Sequence, residues 1–122
     1  MCRELDIAID SEVIPQIASG FGGGLGNTGS VCGAVLGGVM AIGLATGKTT
    51  SMEAWFRMAG VVQELRQRFE EEVGTLECRE MTGMDLTSPE GIEAFMQSDV
   101  PMMVCAPAVT HAYRMTMELL EA

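Results

Sequence analysis

The chain has 122 residues, of which 48% are hydrophobic and 20% are charged, a composition typical of one globular domain with enough apolar side chains for a core. Seventeen acidic residues against seven basic ones give a formal net charge of −10. This charge repels phosphate backbones and anionic lipid surfaces, which excludes nucleic acid as a favoured partner. The first residues do not form a basic stretch followed by an apolar one, as a signal peptide would. The apolar runs of the chain are shorter than the roughly 20 residues of a membrane span. We therefore expect a cytoplasmic protein without a membrane span.

The first third of the chain predicts two helices around a glycine-rich loop. An amphipathic segment starts at Asp10 or Ser11 and stops at Gly20, where the glycine-rich run 20–29 begins. A nearly all-apolar helix then follows from Val31 to about Ala45, and we expect it to be buried on most sides. One face of this segment is almost bare backbone, which would let another helix approach closely, because glycines recur every four residues at Gly29, Gly33 and Gly37.

The rest of the chain also predicts helices. The longest begins near Ser51, whose surroundings have the capping-box form, and ends at Gly74. Three more are expected over about 76–81, 88–97 and 106–120. The expected inner side of the last helix comprises Val109, Ala112, Tyr113, Thr116 and Leu120. No segment alternates like a strand, so the sequence predicts an all-α fold: a single compact bundle of five to six helices over 1–122, with the glycine-rich loop before the central buried helix.

Three cysteines share one kind of position in this prediction. Cys32 follows the glycine-rich run, Cys78 opens the short fourth helix, and Cys105 directly precedes the last helix. Helix entrances favour a thiolate, because unpaired N–H groups and the positive end of the helix dipole point at it. The alternative is that each thiol is a small packing residue, since free cysteine is often buried.

Local spacing gives no metal motif. The four cysteines are separated by 30, 46 and 27 residues, which matches neither a zinc ribbon nor a Cys-x-x-Cys pair. The single histidine, His111, lies in the middle of the last predicted helix and is interpreted as a packing residue, with a role as proton donor or axial ligand if it faces Cys105. Any cysteine cluster must therefore be assembled by the fold.

The motifs of this chain resemble those of a known family. The glycine block Ser19 to Gly26, the core Cys32-Gly33-Ala34 with Gly37, the segment Cys78-Arg79-Glu80 and Cys105 occur in the order of the C-GCAxxG-C-C family, whose members are described as redox-active. The similarity covers nearly the whole chain. A related domain occurs in split-Soret cytochromes, where an iron–sulfur centre accompanies haem. The resemblance therefore implies redox function and makes an iron–sulfur cluster the candidate cofactor.

The chain departs from the family at its beginning. The family's first cysteine would precede Met1, so we expect the chain to lack that N-terminal segment. Cys2 is either a displaced substitute or an ordinary residue of the first helix. There is also no Cys-x-x-Cys-His, so covalent c-type haem attachment is not supported.

Three functional hypotheses remain open. In the first, Cys32, Cys78 and Cys105 hold an iron–sulfur cluster or another thiophilic metal for electron transfer, with Cys2 or an outside group as the fourth ligand. The candidate cofactor-binding positions are the glycines whose N–H groups would point at the sulfurs, namely Gly22, Gly23, Gly24 and Gly33. In the second, no cofactor is needed: Cys32 is a low-pKa attacking thiolate, and Cys78 or Cys105 resolves a reversible disulfide.

The third hypothesis is a non-catalytic helical module, whose glycine face and eleven methionines pack against a copy of itself or a larger partner. The first two hypotheses require a separate redox partner protein, and the glycine face makes a homodimer the expected assembly. For the structure, we expect the sulfurs of Cys32, Cys78 and Cys105 to lie in one pocket beside the glycine-rich loop.

Overall fold

The computed structural model describes Ile9, Asp10 and residues 12–122. This part of the chain contains six α-helices: α1 (Val13–Ala18), α2 (Gly33–Thr46), α3 (Met52–Val73), α4 (Cys78–Thr82), α5 (Pro89–Gln97) and α6 (Ala106–Glu121). A π-helical segment, Pro101–Cys105, runs directly into α6. No strand forms among the described residues, so the predicted all-α fold is confirmed.

The ends of the long helices follow from local chemistry. The hydroxyl of Ser51 accepts a hydrogen bond from the N–H of Ala54 at 3.1 Å, which starts α3. Gly74 ends that helix in a left-handed conformation with φ of 100°, which costs little in a residue without a Cβ. Ser88 caps α5 in the same way, with the N–H of Gly91 as donor at 3.0 Å.

The core lies where α2, α3 and α6 pack against one another. Ile42, Leu65 and Phe69 are fully buried there. Helix α2 approaches its neighbours at Gly38, where an added Cβ would lie 2.7 Å from Thr116 Oγ1 and 2.8 Å from Leu65 Cδ2. Close approach of α2 therefore depends on Gly38, whereas a Cβ at Gly37, which the four-residue glycine pattern had indicated, would meet no atom within 4 Å.

Helix α6 buries part of the predicted inner side: Ala112 and Thr116 are buried as expected, and Leu120 packs against the core. Val109 is 57% exposed and Tyr113 is 40% exposed, so the expected inner side is wrong at these two positions. The buried residues of α6 are Ala108, Ala112, Met115 and Thr116. Because the buried and the exposed residues of α6 both include apolar side chains, the partner helices α2 and α3 decide which of them face the core.

The start of α3 is also more exposed than its apolar pattern predicts. Trp55 is 48% exposed and lies beside Phe56, with ring centroids 5.4 Å apart. The core of α3 begins further along, at Leu65. No helix in the part of the chain that the structure describes is both long and apolar enough to cross a membrane.

Candidate redox site

Three thiols from three separate segments lie within electrostatic reach of one another. Cys32, Cys78 and Cys105 are all free, with Cys78 buried and the other two half-buried. Burial raises the pKa of the Cys78 thiol, and charge on Cys32 raises it further. Burial likewise raises the pKa of Cys105, followed by charge on Cys78 and then on Cys32. The three predicted cysteines therefore lie close enough to interact electrostatically, and a shared pocket for their sulfurs stays a prediction.

A short backbone bridge holds Cys32 and Cys78 in a defined relation. Val31 and Glu77 form an isolated antiparallel β-bridge. Next to it, the N–H of Cys32 donates to the carbonyl of Leu76 at 2.8 Å, and the N–H of Cys78 donates to the carbonyl of Ser30 at 2.8 Å. Cys32 thus lies opposite Leu76, and Cys78 is its diagonal neighbour across the two segments.

The diagonal relation bears on what the two thiols can do directly. Diagonal neighbours across antiparallel segments are typically about 7–8 Å apart, whereas the Cα atoms of a disulfide lie about 4.4–6.8 Å apart. A spacing typical of diagonal neighbours would favour a group shared between the two thiols over a direct Cys32–Cys78 disulfide.

The glycine-rich loop reaches this pair through a left-handed turn. Five consecutive residues, from Gly23 to Asn27, have φ between 60° and 71°. The Thr28 hydroxyl donates to the carbonyls of Gly24 and Leu25 at 2.7 and 2.8 Å, which closes the turn. A left-handed backbone conformation costs free energy in residues with a Cβ. This conformation therefore explains why the loop is rich in glycine.

Gly24 makes the contact between this loop and the thiols. A Cβ at Gly24 would lie 2.6 Å from both N and O of Ser30 and 2.7 Å from Cys78 Cβ. Gly33 lies in the first turn of α2. A Cβ added at this position would lie 3.0 Å from the carbonyl oxygen of Phe21. The backbone of the loop can pack directly on Cys78 only because Gly24 has no side chain.

The remaining predicted glycines stand close to this contact. Gly22 and Gly33 both line a mostly apolar cavity of about 410 Å³ between the loop, α2 and α6, and no cysteine lines it. Within the described residues, the N–H groups of Gly22, Gly23 and Gly24 donate to no backbone oxygen, whereas those of the next residues close the loop. The assignment of these glycines as cofactor-binding positions stays a prediction.

Cys105 does not stand at a helix entrance. The π-helical segment ends at this residue, and the backbone of Cys105, with φ of −70° and ψ of −45°, continues into α6. The entrance prediction is correct for Cys32, the N-cap of α2, and for Cys78, the first residue of α4. Because helix precedes Cys105, no free N-terminus points at its sulfur, and the predicted electrostatic setting is wrong there.

The shared helix-entrance setting predicted stabilised thiolates, yet the pKa values of Cys78 and Cys105 are raised. Helix α4 has five residues, so its dipole is weak, and burial outweighs it. The hydroxyl of Thr82 opposes the rise by a hydrogen bond that lowers the pKa of Cys78. Neutral thiols are therefore the favoured state of Cys78 and Cys105 unless a cation or a covalent bond offsets their negative charge.

A single metal ion does not fit the described side chains. Within residues 9, 10 and 12–122, no three histidine, cysteine, aspartate or glutamate side chains lie close enough together to hold one. Cys2, the candidate fourth ligand, lies outside the described residues. The ligand assignments of all four cysteines therefore remain predictions.

Sequence reasoning missed two groups around the site. Arg79, which follows Cys78, donates from its N–H to Gly29 O at 3.0 Å and from Nη2 to Thr28 O at 3.3 Å, and so holds the glycine-rich loop against α4. Thr82 donates to the Cys78 carbonyl at 2.8 Å. The position of Arg79 in the family segment was a usable signal, whereas nothing in the sequence pointed to Thr82.

His111 belongs to a different cluster. Its Nδ1 lies 3.1 Å from Glu72 Oε1, and Arg114 Nη2 lies 2.7 Å from the same oxygen. The side chain is 35% exposed, which agrees with its interpretation as a partly exposed packing residue. His111 thus belongs to the cluster formed with Glu72 and Arg114.

The sequence of this chain matches one protein-family model. A family model described as "Putative redox-active protein (C_GCAxxG_C_C)" matches residues 1–119. No curated protein and no solved structure matches the chain significantly. The matched range includes the glycine-rich loop and all three cysteines of the candidate site, and the chain therefore belongs to the C_GCAxxG_C_C family.

Proposed function

We propose that this protein carries out redox chemistry at the thiols of Cys32, Cys78 and Cys105. The observation that carries the proposal is their electrostatic proximity: charge on Cys32 raises the pKa of Cys78, and charge on Cys78 and on Cys32 raises the pKa of Cys105. The family to which the chain belongs is described in redox terms, which agrees with this proposal.

Within that proposal, an iron–sulfur cluster held by the three thiolates is the favoured centre. Its chemistry would be one-electron transfer. Two features of the donor set suit it: all three ligands are thiols, and their mutual repulsion is relieved by a cationic centre. The diagonal placement of Cys32 and Cys78 also suits a cluster, because its iron atoms accept thiolates that stand further apart than the ligands of one ion. Cys2 or an outside group would complete the ligands.

A reversible disulfide is the second candidate, and the structure favours Cys78 and Cys105 as its partners. Charge on Cys78 raises the pKa of Cys105 more than charge on Cys32 does, and the π-helical segment packs against α4. Oxidation would join the two sulfurs, release two protons and pass two electrons to a disulfide or quinone acceptor. Cys32 would then stay reduced.

Either chemistry needs a separate partner protein to supply or remove electrons. We propose a cytoplasmic location, since three free thiols persist in a reducing compartment. We also propose a homodimer, supported by the open face at Gly37, with the exposed side chains of Val109 and Tyr113 lining the same cavity. Sedimentation velocity over a tenfold concentration range tests the dimer, and a single monomeric species would contradict it.

Anaerobic purification tests the choice of centre. A cluster predicts brown protein whose visible absorbance bleaches on reduction, together with iron and acid-labile sulfide. A disulfide predicts colourless protein that loses two titratable thiols on mild oxidation, with residues 78 and 105 joined in the peptide map.

Single serine variants assign the roles. If the three thiols hold a cluster, Cys32→Ser, Cys78→Ser and Cys105→Ser each lose most of the bound iron, and Cys2→Ser shows whether that residue is the fourth ligand. If a disulfide forms, Cys32→Ser keeps the two-thiol loss and the other two abolish it. Ser30→Ala is a matched control, since it changes a side chain beside the bridge without removing a thiol. Protein that is colourless, iron-free and keeps all thiols on oxidation would refute the proposed redox function.

A further inference from the structure

A second cavity, distinct from the thiols, opens between the end of α3, α4, the π-helical segment and α6. Its volume is about 310 Å³, within the range of small-ligand sites. Its walls are mostly apolar, and its polar side chains are Thr75, Glu80 and His111. Two methionines, Met81 and Met103, line it from α4 and from the π-helical segment.

The Glu80 carboxylate is the charged group of this cavity. The hydroxyl of Thr75 donates to Glu80 Oε2 at 2.8 Å, and the Thr75 oxygen in turn accepts from the N–H of Glu77 at 3.1 Å. The proton of Thr75 is therefore already used, and the hydroxyl orients the carboxylate. Within the described part of the chain, no arginine, lysine or histidine forms an ion pair with Glu80.

His111 lines the same cavity beside a second carboxylate. Its Nδ1 lies 3.1 Å from Glu72 Oε1 and 3.4 Å from Arg114 Nη2. Arg114, the neighbouring cation, is already bound to Glu72 through Nη2, at 2.7 and 2.8 Å from its two oxygens.

We propose that this cavity binds an ammonium or guanidinium group carried on a short alkyl stem. The Glu80 carboxylate offers acceptors and no donor, while Val73, Met103 and Pro107 supply apolar surface for the stem. The net charge of −10 draws cations towards the chain. The cation comes either from a free small molecule or from an arginine or lysine side chain of a partner protein. This inference does not rest on the redox function, since none of its groups is a thiol.

Methyl NMR of protein labelled at the methionine methyls tests the site, with n-butylguanidinium as the probe. Saturable shifts are expected at Met81 and Met103, which line the cavity, and not at Met102 or Met96, which are exposed elsewhere. N-butylurea has nearly the same shape without the charge, and it should bind at least fivefold more weakly. Equal affinity for the two probes, or uniform shifts at all four methionines, would overturn the proposal.

A variant that lacks the Glu80 charge gives a second test of the proposed site. Glu80→Gln should weaken butylguanidinium binding at least threefold and leave butylurea unchanged, while Glu93→Gln, an exposed carboxylate outside the cavity, should change neither. An unaltered affinity in Glu80→Gln would refute the role of that carboxylate. The methionine spectrum without probe shows whether each variant keeps its fold.

N-acetyl-argininamide shows which source supplies the cation, because it presents the same guanidinium group on a peptide backbone. Binding within threefold of butylguanidinium supports the site and identifies a partner side chain as its occupant. Exclusion of this probe, with butylguanidinium still bound, supports the site and identifies a free small cation. Failure of both cationic probes to bind would refute the inference and would leave the proposed thiol chemistry untouched.

Discussion

Gly24→Ala should disrupt the candidate redox site through one methyl group. Gly24 has φ of 71°, and this left-handed conformation costs alanine about 1–2 kcal/mol. The new Cβ would also lie 2.6 Å from N and O of Ser30 and 2.7 Å from Cys78 Cβ, contacts that force the bridge segment and Cys78 to shift. Overpacking of this kind costs about a further 1–3 kcal/mol. The expected loss of unfolding free energy is therefore about 2–5 kcal/mol.

Gly26→Ala is the matched control, because Gly26 has φ of 65° and an added Cβ meets no atom within 4 Å. It should lose only the conformational part, about 1–2 kcal/mol. Urea unfolding followed by circular dichroism measures both losses. Alkylation of Cys78, read by mass spectrometry of its peptide, should become faster in Gly24→Ala and stay unchanged in Gly26→Ala. Equal losses and equal alkylation rates would refute the contact between the loop and the thiol.

Three further outcomes are expected. Thr116 is fully buried, and its hydroxyl has no hydrogen-bond partner among the described residues. Thr116→Val should therefore raise the unfolding free energy by about 1–3 kcal/mol. A lower midpoint of urea unfolding would contradict this prediction. Because the pKa values of Cys78 and Cys105 are raised above 9.0 in the folded chain, the unfolded chain loses these protons first, so stability under reducing conditions should fall as the pH rises past 9. This pH dependence of stability should become weaker when Cys78 and Cys105 are both changed to serine. An unaltered pH dependence would contradict the raised pKa values of the two thiols. Arg114→Met should lower the urea midpoint by an amount that shrinks as salt is added, and a shift independent of salt would mean that packing, rather than charge, had been lost.

Local chemistry made the helix ends predictable. Ser51, Gly74 and Ser88 act through hydrogen bonds or φ values set within a few residues, and the structure confirms all three. The buried stripe of α6 was not predictable in the same way. Val109 is as apolar as Ala108, and only the neighbouring helices decide which of them faces inwards.

The candidate site was predictable in its residues and not in its geometry. The order of the cysteines and glycines identified Cys32, Cys78 and Cys105, but their spacing carries no information on how they meet. The left-handed turn includes Leu25 and Asn27, which do not require that conformation on their own. The π-helical segment before α6 has no sequence signature, so the position of Cys105 within continuous helix became evident only in three dimensions.

The electrostatic proximity of the thiols at residues 32, 78 and 105 would link the proposed site to the folding of the whole chain. Any bond or bound group that joins them closes loops of 46 and 27 residues, and such closure removes conformational freedom mainly from the unfolded ensemble. An occupant of the site would thus act as a clamp on the bundle, raising its melting temperature in proportion to how tightly it is held. Loss of that occupant would then make helices far from the site more susceptible to proteolysis.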